Sequence, residues 1–305
     1  MQTFYGHGKL LLTGEYSVLD GALALAIPTR FGQKLIVEDS RDGQFNWQSV
    51  DVEGQTWFAA TFHLKKELGI TVKTGSSTAG ERLIQVLSTA IEMRPDALEV
   101  FRGKSVTTIL EFNREWGLGS SSTLLYCLAE WLKIDAYTLL KKTFGGSGYD
   151  LACAGNDTAI TYQINQDIPI ITPLRWSPAW VRQTYFVYQN QKQNSRAGIQ
   201  KYRRQDKNIK GISRISEITA TLSTTLLLAE AQKLLQDHEN ITSQLVSLPT
   251  IKEELFPDFN GVVKSLGAWG GDFCWVISDQ NEQEIRNYFS EKGFETMLSW
   301  EQMVF

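Results

Sequence analysis

Apolar positions along the chain fall into short runs closed by glycine or proline, alternating with stretches of helical spacing. Residues 9–13 form one such run, ended by Gly14, and residues 22–27 form another, closed by Pro28. Two strands around a turn are therefore expected. Residues 31–37 and 43–52 read as further strands, the second broken by Gly, Asp and Gln in the manner of a hairpin. A small-residue run at 74–80 leads into a helix over 81–93, where Leu83, Val86, Leu87 and Ala90 recur at helical spacing. Residues 106–112 predict a strand, and residues 121–132 a helix with Leu124, Leu125, Leu128 and Leu132 on one side. A glycine turn joins these two elements.

After a strand over 158–164, the segment 167–178 holds three prolines and reads as a crossing between domains, with the boundary near residue 172. The second half predicts a strand at 185–188 and one long helix over 213–236, with Ile215, Ile218, Leu222, Leu226 and Ala229 in register. A glycine-rich turn and a strand follow. No internal repeat is present, which sets a solenoid aside. The pattern predicts a mixed α+β fold in two domains, residues 1–172 and 173–305.

Composition narrows the function classes. The chain has 305 residues, 42% of them hydrophobic and 21% charged, as in ordinary soluble domains. Its 30 basic residues against 34 acidic ones leave a net charge of -4, so no overall basic field attracts nucleic acid or an anionic membrane. Neither partner is expected, and any phosphate site must be local. Cys127, Cys153 and Cys274 are odd in number, widely spaced and set beside apolar residues, which fits reduced, packed thiols in a cytoplasmic protein. No charged segment followed by a long apolar run stands at the N-terminus, and no stretch reaches the length of a membrane helix.

The most informative stretch is Trp116-Gly117-Leu118-Gly119-Ser120-Ser121-Ser122-Thr123, between a predicted strand and an amphipathic helix. Glycines let a backbone approach an anion closely, and the unpaired amides of a helix N-terminus, with small hydroxyls, donate to phosphate oxygens. A helix capped by serine after a tight turn reads the same way, so context must decide. Gly103-Lys104-Ser105 is not a Walker loop, because Leu98 stands where its first glycine belongs. The His-Arg-Asp loop of protein kinases and the Gly-x-Ser-x-Gly elbow are both missing.

Gly117-Leu118-Gly119-Ser120-Ser121 resembles the phosphate motif of the GHMP superfamily, named for galactokinase, homoserine kinase, mevalonate kinase and phosphomevalonate kinase; Asn113 and Ser122 depart from it. Gly8-Lys9-Leu10-Leu11-Leu12-Thr13-Gly14-Glu15-Tyr16-Ser17-Val18-Leu19 is similar to the first motif of that family. His7 stands before it where proline is common and is read as structural. Gly267-Ala268-Trp269-Gly270-Gly271-Asp272 resembles the third motif, with Trp269 in place of glycine. Gly146-Ser147-Gly148-Tyr149-Asp150 resembles the segment that carries the catalytic aspartate. The motifs occur in family order over nearly the whole chain.

The resemblance implies an N-terminal domain with a left-handed β-α-β crossover, a ferredoxin-like C-terminal domain, and ATP and Mg2+ as cofactors. It implies Asp150 and Lys9 as catalytic residues: Asp150 would accept or orient the acceptor's proton, and Lys9 would help to neutralise developing charge. Gly117, Leu118, Gly119, Ser120, Ser121 and Ser122 would hold the nucleotide, with Ser121 on magnesium. Tyr16, Ser147, Gly148, Gly270 and Gly271 would face substrate, and Glu15 would orient substrate or Lys9. Lys192 and Arg196 belong to a basic run that suits an acceptor phosphate or carboxylate, or equally a solvated helix face.

Mevalonate kinases carry a second magnesium ligand eleven residues before the catalytic aspartate, where this chain has Leu139; Asp135 is the nearest upstream acid. The expected substrate is a small molecule, phosphomevalonate first and mevalonate second. A sugar is disfavoured because Tyr16-Ser17-Val18-Leu19 replaces the acidic signature of galactokinase. A kinase-like binding protein without turnover is the alternative of a different class. A monomer or a homodimer fits either.

Overall fold

The computed structural model describes residues 1–65, 69–74, 77–193 and 195–304, without the side chains of Ser195 and Arg196. Two compact units result, and they do not follow a single cut in the chain. The first unit comprises Met1–Gly8, Phe31–Arg114 and Leu118–Gly155; the second comprises Lys9–Arg30, Glu115–Gly117 and Asn156–Phe305. No helix among the described residues is long and apolar enough to cross a membrane.

Two strands, β1 (Gln2–Thr13) and β2 (Ala24–Asp39), run through both units and pair with each other. The two runs expected as separate strands, 22–27 and 31–37, are one strand. Pro28 is tolerated there because it falls between Ala24–Ala26, which pair with one neighbour, and Gln33–Asp39, which pair with another.

The first unit adds β3 (Phe45–Val50), β4 (Thr56–Lys65), β5 (Gly69–Thr74), α1 (Thr78–Met93), α2 (Ala97–Phe101), β6 (Lys104–Leu110), α3 (Ser120–Leu132), α4 (Ala136–Thr143) and α5 (Tyr149–Ala154). Its strands lie in the order β5-β4-β3-β6-β2, with β3 and β6 parallel and the other pairs antiparallel. Alternation decides the buried face: Phe45, Trp47 and Ser49 on β3, and Val106, Thr108 and Leu110 on β6, all point inward. Against that face pack Leu83 and Leu87 of α1 and Leu125, Leu128 and Trp131 of α3, with Phe45 stacked on Phe101 at 4.9 Å. Of the loop expected at 74–80, residues 75 and 76 lie outside the described residues.

The second unit adds β7 (Ala159–Asn165), β8 (Ile168–Leu174), β9 (Thr184–Tyr188), α6 (Ser195–Arg203), α7 (Ile209–Leu222), α8 (Leu228–Val246), α9 (Ile251–Leu255), β10 (Val262–Ser265), β11 (Phe273–Ile277), α10 (Glu282–Glu291), β12 (Met297–Ser299) and α11 (Trp300–Met303). An antiparallel sheet in the order β10-β11-β9-β12 makes the β-α-β-β-α-β arrangement of a ferredoxin-like domain, as expected. Central strand β11 is buried throughout. Trp275 packs with Phe186 and Trp300 on one side, and Cys274 and Val276 pack with Val187 and Phe289 on the other.

Two expectations are corrected here. The proline-bearing segment 167–178 is not a crossing: β8 forms a hairpin with β7, turning at Gln166 and Asp167, whose φ values of 50° and 64° suit a two-residue turn. Pro169 and Pro173 are accommodated because β8 is the last strand in its order, where missing donors cost little. The helix expected over 213–236 is two helices, α7 and α8. The indoles of Trp176 and Trp180 donate to the carbonyls of Leu222 and Thr225 and so end α7, and Leu226 is left 75% exposed between the helices.

Candidate active site

In the first unit, Gly119 takes a left-handed conformation (φ 90°) at the N-cap of α3, which glycine adopts without a Cβ penalty. Buried Leu118 anchors the entry, and the apolar face of α3 is locked in the core. Ser120 and Ser121 are the first residues of the helix, so their amides have no acceptor within it. The Ser121 side chain is exposed and the Ser122 side chain buried. The Ser122 hydroxyl donates to Asp150 Oδ2 at 2.6 Å, which joins the glycine turn to the aspartate predicted from a separate motif. Asp150 lies in the first turn of α5, entered through buried Gly148 at φ 88° with half-buried Ser147 before it. The Tyr137 hydroxyl is buried without a hydrogen-bond partner, and burial, with Asp150 nearby, holds it un-ionised.

Leu139 is fully buried in the apolar core of this unit, so its position supplies packing rather than a ligand. Asp135 caps α4, accepting from the amide of Thr138 at 2.6 Å.

In the second unit, Lys9 on β1 lines a small cavity with Trp116, Gly117, Gly267 and Asp272. Lys9 and Gly117, predicted from different motifs, are thus brought together. Glu115, next to this turn, pairs with Lys192 at 3.7 Å, which draws one member of the basic run to the same place. The side chain of Arg196 lies outside the described residues. Gly270 and Gly271 lie against the 189–193 segment: a Cβ on Gly271 would sit 2.6 Å from the Gln191 carbonyl oxygen, and one on Gly270 2.7 Å from Gln193 Nε2.

Glu15 and Tyr16 are placed inward. Tyr16 stacks on Tyr202 at 5.7 Å, and its hydroxyl accepts from the amide of Trp269 at 3.0 Å, tying the first motif to the third. Glu15 is fully buried and bonded to the ammonium of Lys264 on β10. His238 Nε2 accepts from the amide of Gly14 at 2.9 Å, so this nitrogen carries no proton to give to Glu15, 3.4 Å away. Burial likewise keeps this imidazole neutral by lowering its pKa well below the usual range. Glu239 accepts from the Ser265 amide at 3.0 Å and hydroxyl at 2.8 Å. The Lys264 ammonium bonds Glu15 and acts on Glu239 only through its charge, and one oxygen of each carboxyl group, Glu15 Oε2 and Glu239 Oε2, has no hydrogen-bond partner. Sequence reasoning found Glu15 but missed Lys264, His238 and Glu239. The one available signal was a lysine inside the apolar run Val262-Val263-Lys264-Ser265.

This cluster makes a pH prediction. Burial pushes the Glu239 carboxyl up to about 7, with Lys264 opposing. A carboxyl raised on folding binds more protons in the folded state, so its contribution is largest below its unfolded value near 4.5 and is lost as pH rises to about 7. The total is about 3 kcal/mol. His238 works in the opposite sense, losing stability as pH falls below its unfolded value, so the test is a difference between proteins. Glu239→Gln keeps the acceptor for Ser265. Its melting temperature is expected to match wild type near pH 4 and exceed it increasingly towards pH 7.5, as followed by calorimetry; parallel curves would refute the assignment.

No protein-family model matches the sequence, and no curated protein matches it either. The fold is that of the GHMP small-molecule kinases. Among solved structures the chain is similar to Streptococcus pneumoniae phosphomevalonate kinase in complex with phosphomevalonate and AMPPNP, with a TM-score of 0.70, 18% identity, and coverage of 98% of this chain and 100% of that one. Methanococcus jannaschii mevalonate kinase aligns with a TM-score of 0.68 and 11% identity, over 97% of this chain and 96% of that one. A D-glycero-D-manno-heptose 1-phosphate kinase from "Bacteriodes thetaiotaomicron" aligns at 0.68 and 16%, over 99% and 95%.

Proposed function

We propose that the chain is an ATP-dependent kinase of a small metabolite, with phosphomevalonate as the first candidate acceptor and mevalonate as the second. The observation that carries this reading is the hydrogen bond from Ser122 to Asp150 at the N-terminus of α3. It joins an anion-accepting helix terminus to a half-buried carboxylate, the two elements that phosphoryl transfer needs beside a cation. The residues present fit a nucleotide: left-handed Gly119 opens the backbone, and the amides of Ser120 and Ser121 face outward from the helix. Mg2+ prefers oxygen ligands and keeps several waters, so the exposed Ser121 hydroxyl and the nucleotide's phosphates would hold it and shield the transferred charge.

Within this reading Asp150 takes or orients the proton of an alcohol acceptor, and Ser122 keeps the carboxylate in place. Lys9 supplies positive charge for the transferred group. Lys192, held next to the turn by Glu115, suits an acceptor that is already anionic, and a structural neighbour bound to phosphomevalonate points the same way.

A second reading, a nucleotide- or metabolite-binding protein without turnover, has Leu139 in its favour, because that position lies in the core and offers no carboxylate. One screen separates the two: ATP consumption by the purified protein with Mg2+ and phosphomevalonate, mevalonate or a sugar 1-phosphate. Consumption with phosphomevalonate above the others is expected. ATP binding in calorimetry without consumption on any acceptor would favour the second reading.

A further inference from the structure

We propose that Asp272 is a positioning residue of the phosphate turn, its carboxylate fixing both the backbone at Gly117 and the ammonium of Lys9. The expected effect on turnover rests on the kinase reading above; the pairing itself does not. Three observations within the second unit carry it.

The first is space. A Cβ on Gly117 would overlap Asp272 Cγ and both of its carboxyl oxygens, so the carboxyl group occupies room that only glycine leaves open. Gly117 itself is left-handed, with φ 66°.

The second is backbone. Asp272 sits at φ 59°, a conformation a residue with a side chain keeps only when its surroundings hold it. They do so here. Its amide donates to the Gln191 carbonyl at 2.7 Å, its carbonyl accepts from the Gln189 amide at 2.8 Å, and its Oδ1 accepts from the Gln193 amide at 3.1 Å.

The third is charge. Burial raises the Asp272 carboxyl pKa, Lys9 and then Lys192 draw it down, and Glu115 pushes it up. Lys9 shares the cavity with it, its Nζ lying 3.8 Å from where a Cβ on Gly267 would stand. A carboxylate taken out of water needs a cation or donors, and a lysine on a flexible four-carbon stem needs an anchor to hold one place. Each meets the other's requirement. Lys9 is thereby kept beside Gly117, where loss of placement costs rate more than affinity.

The test uses Asp272→Asn, since asparagine is nearly isosteric and tolerates a left-handed backbone, with Asp272→Gly as a second variant suited to that conformation. The first readout needs no turnover: acylation of Lys9 by acetic anhydride at pH 8, followed by mass spectrometry against the other lysines. Lys9 is expected to react roughly threefold to tenfold faster once its anion is removed. The second is kinetic. Asp272→Asn is expected to lower kcat about tenfold with a smaller change in KM for ATP, and to cause no further loss when added to Lys9→Met. Unchanged Lys9 reactivity in folded Asp272→Asn or Asp272→Gly overturns the proposal, as do additive losses in the double variant. A wild-type protein that consumes no ATP while Lys9 reactivity responds overturns the kinase reading and leaves the pairing standing.

Discussion

Asp150→Asn is expected to lower turnover on an alcohol acceptor about a hundredfold or more, the scale of removing a general base, while Mg-ATP affinity stays unchanged. The cause is charge rather than shape. The asparagine side-chain oxygen can still accept from Ser122, whose hydroxyl lies 2.6 Å from Asp150 Oδ2, so α5 and the start of α3 keep their connection. Asparagine cannot take a proton, and the acceptor is left unactivated. The defect also reports on the acceptor. A phosphate monoester is already anionic at neutral pH, so with phosphomevalonate Asp150 matters for placement and the loss shrinks. Single-turnover rates for both proteins with each acceptor make the comparison. Equal rates with the acceptor that the wild type uses would remove Asp150 from the mechanism.

Lys264→Met is expected to be the most destabilising single substitution in the second unit, by about 3–5 kcal/mol, because it leaves buried carboxylates without their cation. Lys264 is fully buried and bonded to Glu15, and its charge also acts on Glu239. Methionine preserves much of the volume, which separates the electrostatic loss from a packing loss. The sign with pH follows from the carboxyl groups. Both Glu15 and Glu239 are already raised by burial, and without Lys264 they rise further, so protonation at low pH relieves the cost. Urea midpoints should therefore fall much more at pH 8 than at pH 5.5, and Glu15→Gln in the same chain should restore part of the loss. A pH-independent loss would mean that Lys264 acts by packing.

Legibility differed between kinds of feature for physical reasons. Helix α3 and strand β6 were readable because each carries its own period, leucines at helical spacing in α3 and inward residues alternating along β6, and β9 was readable as a short apolar run. The glycine turn was readable because left-handed backbone at Gly117 and Gly119 selects a residue type that sequence displays directly. The hairpin β7–β8 was not, because its prolines are acceptable only to a strand with one unpaired side, and sheet order is not a local property. The end of α7 was equally hidden: the indoles that take the carbonyls of Leu222, its last residue, and of Thr225 just beyond it lie more than forty residues away, at separations of 46 and 45.

The same division runs through the candidate site. Local chemistry was enough to single out the turn at residues 117–122 as an anion site, because glycine and a helix N-terminus express their own demands on backbone and charge, while Lys9, Ser121 and Asp150 were nominated through the resemblance to a known family. Folding decided the partners. Ser122 is bonded to Asp150 across 28 residues, Asp272 faces Gly117, and Glu15 turns inward to Lys264 across 249 residues. A buried ion pair or a carboxylate filling the space above a glycine depends on which surfaces close over it, and burial is decided by packing of distant segments. Residue type and spacing could thus mark the candidate positions along this chain, while only its packing could separate the residues left at the turn from those enclosed in the core.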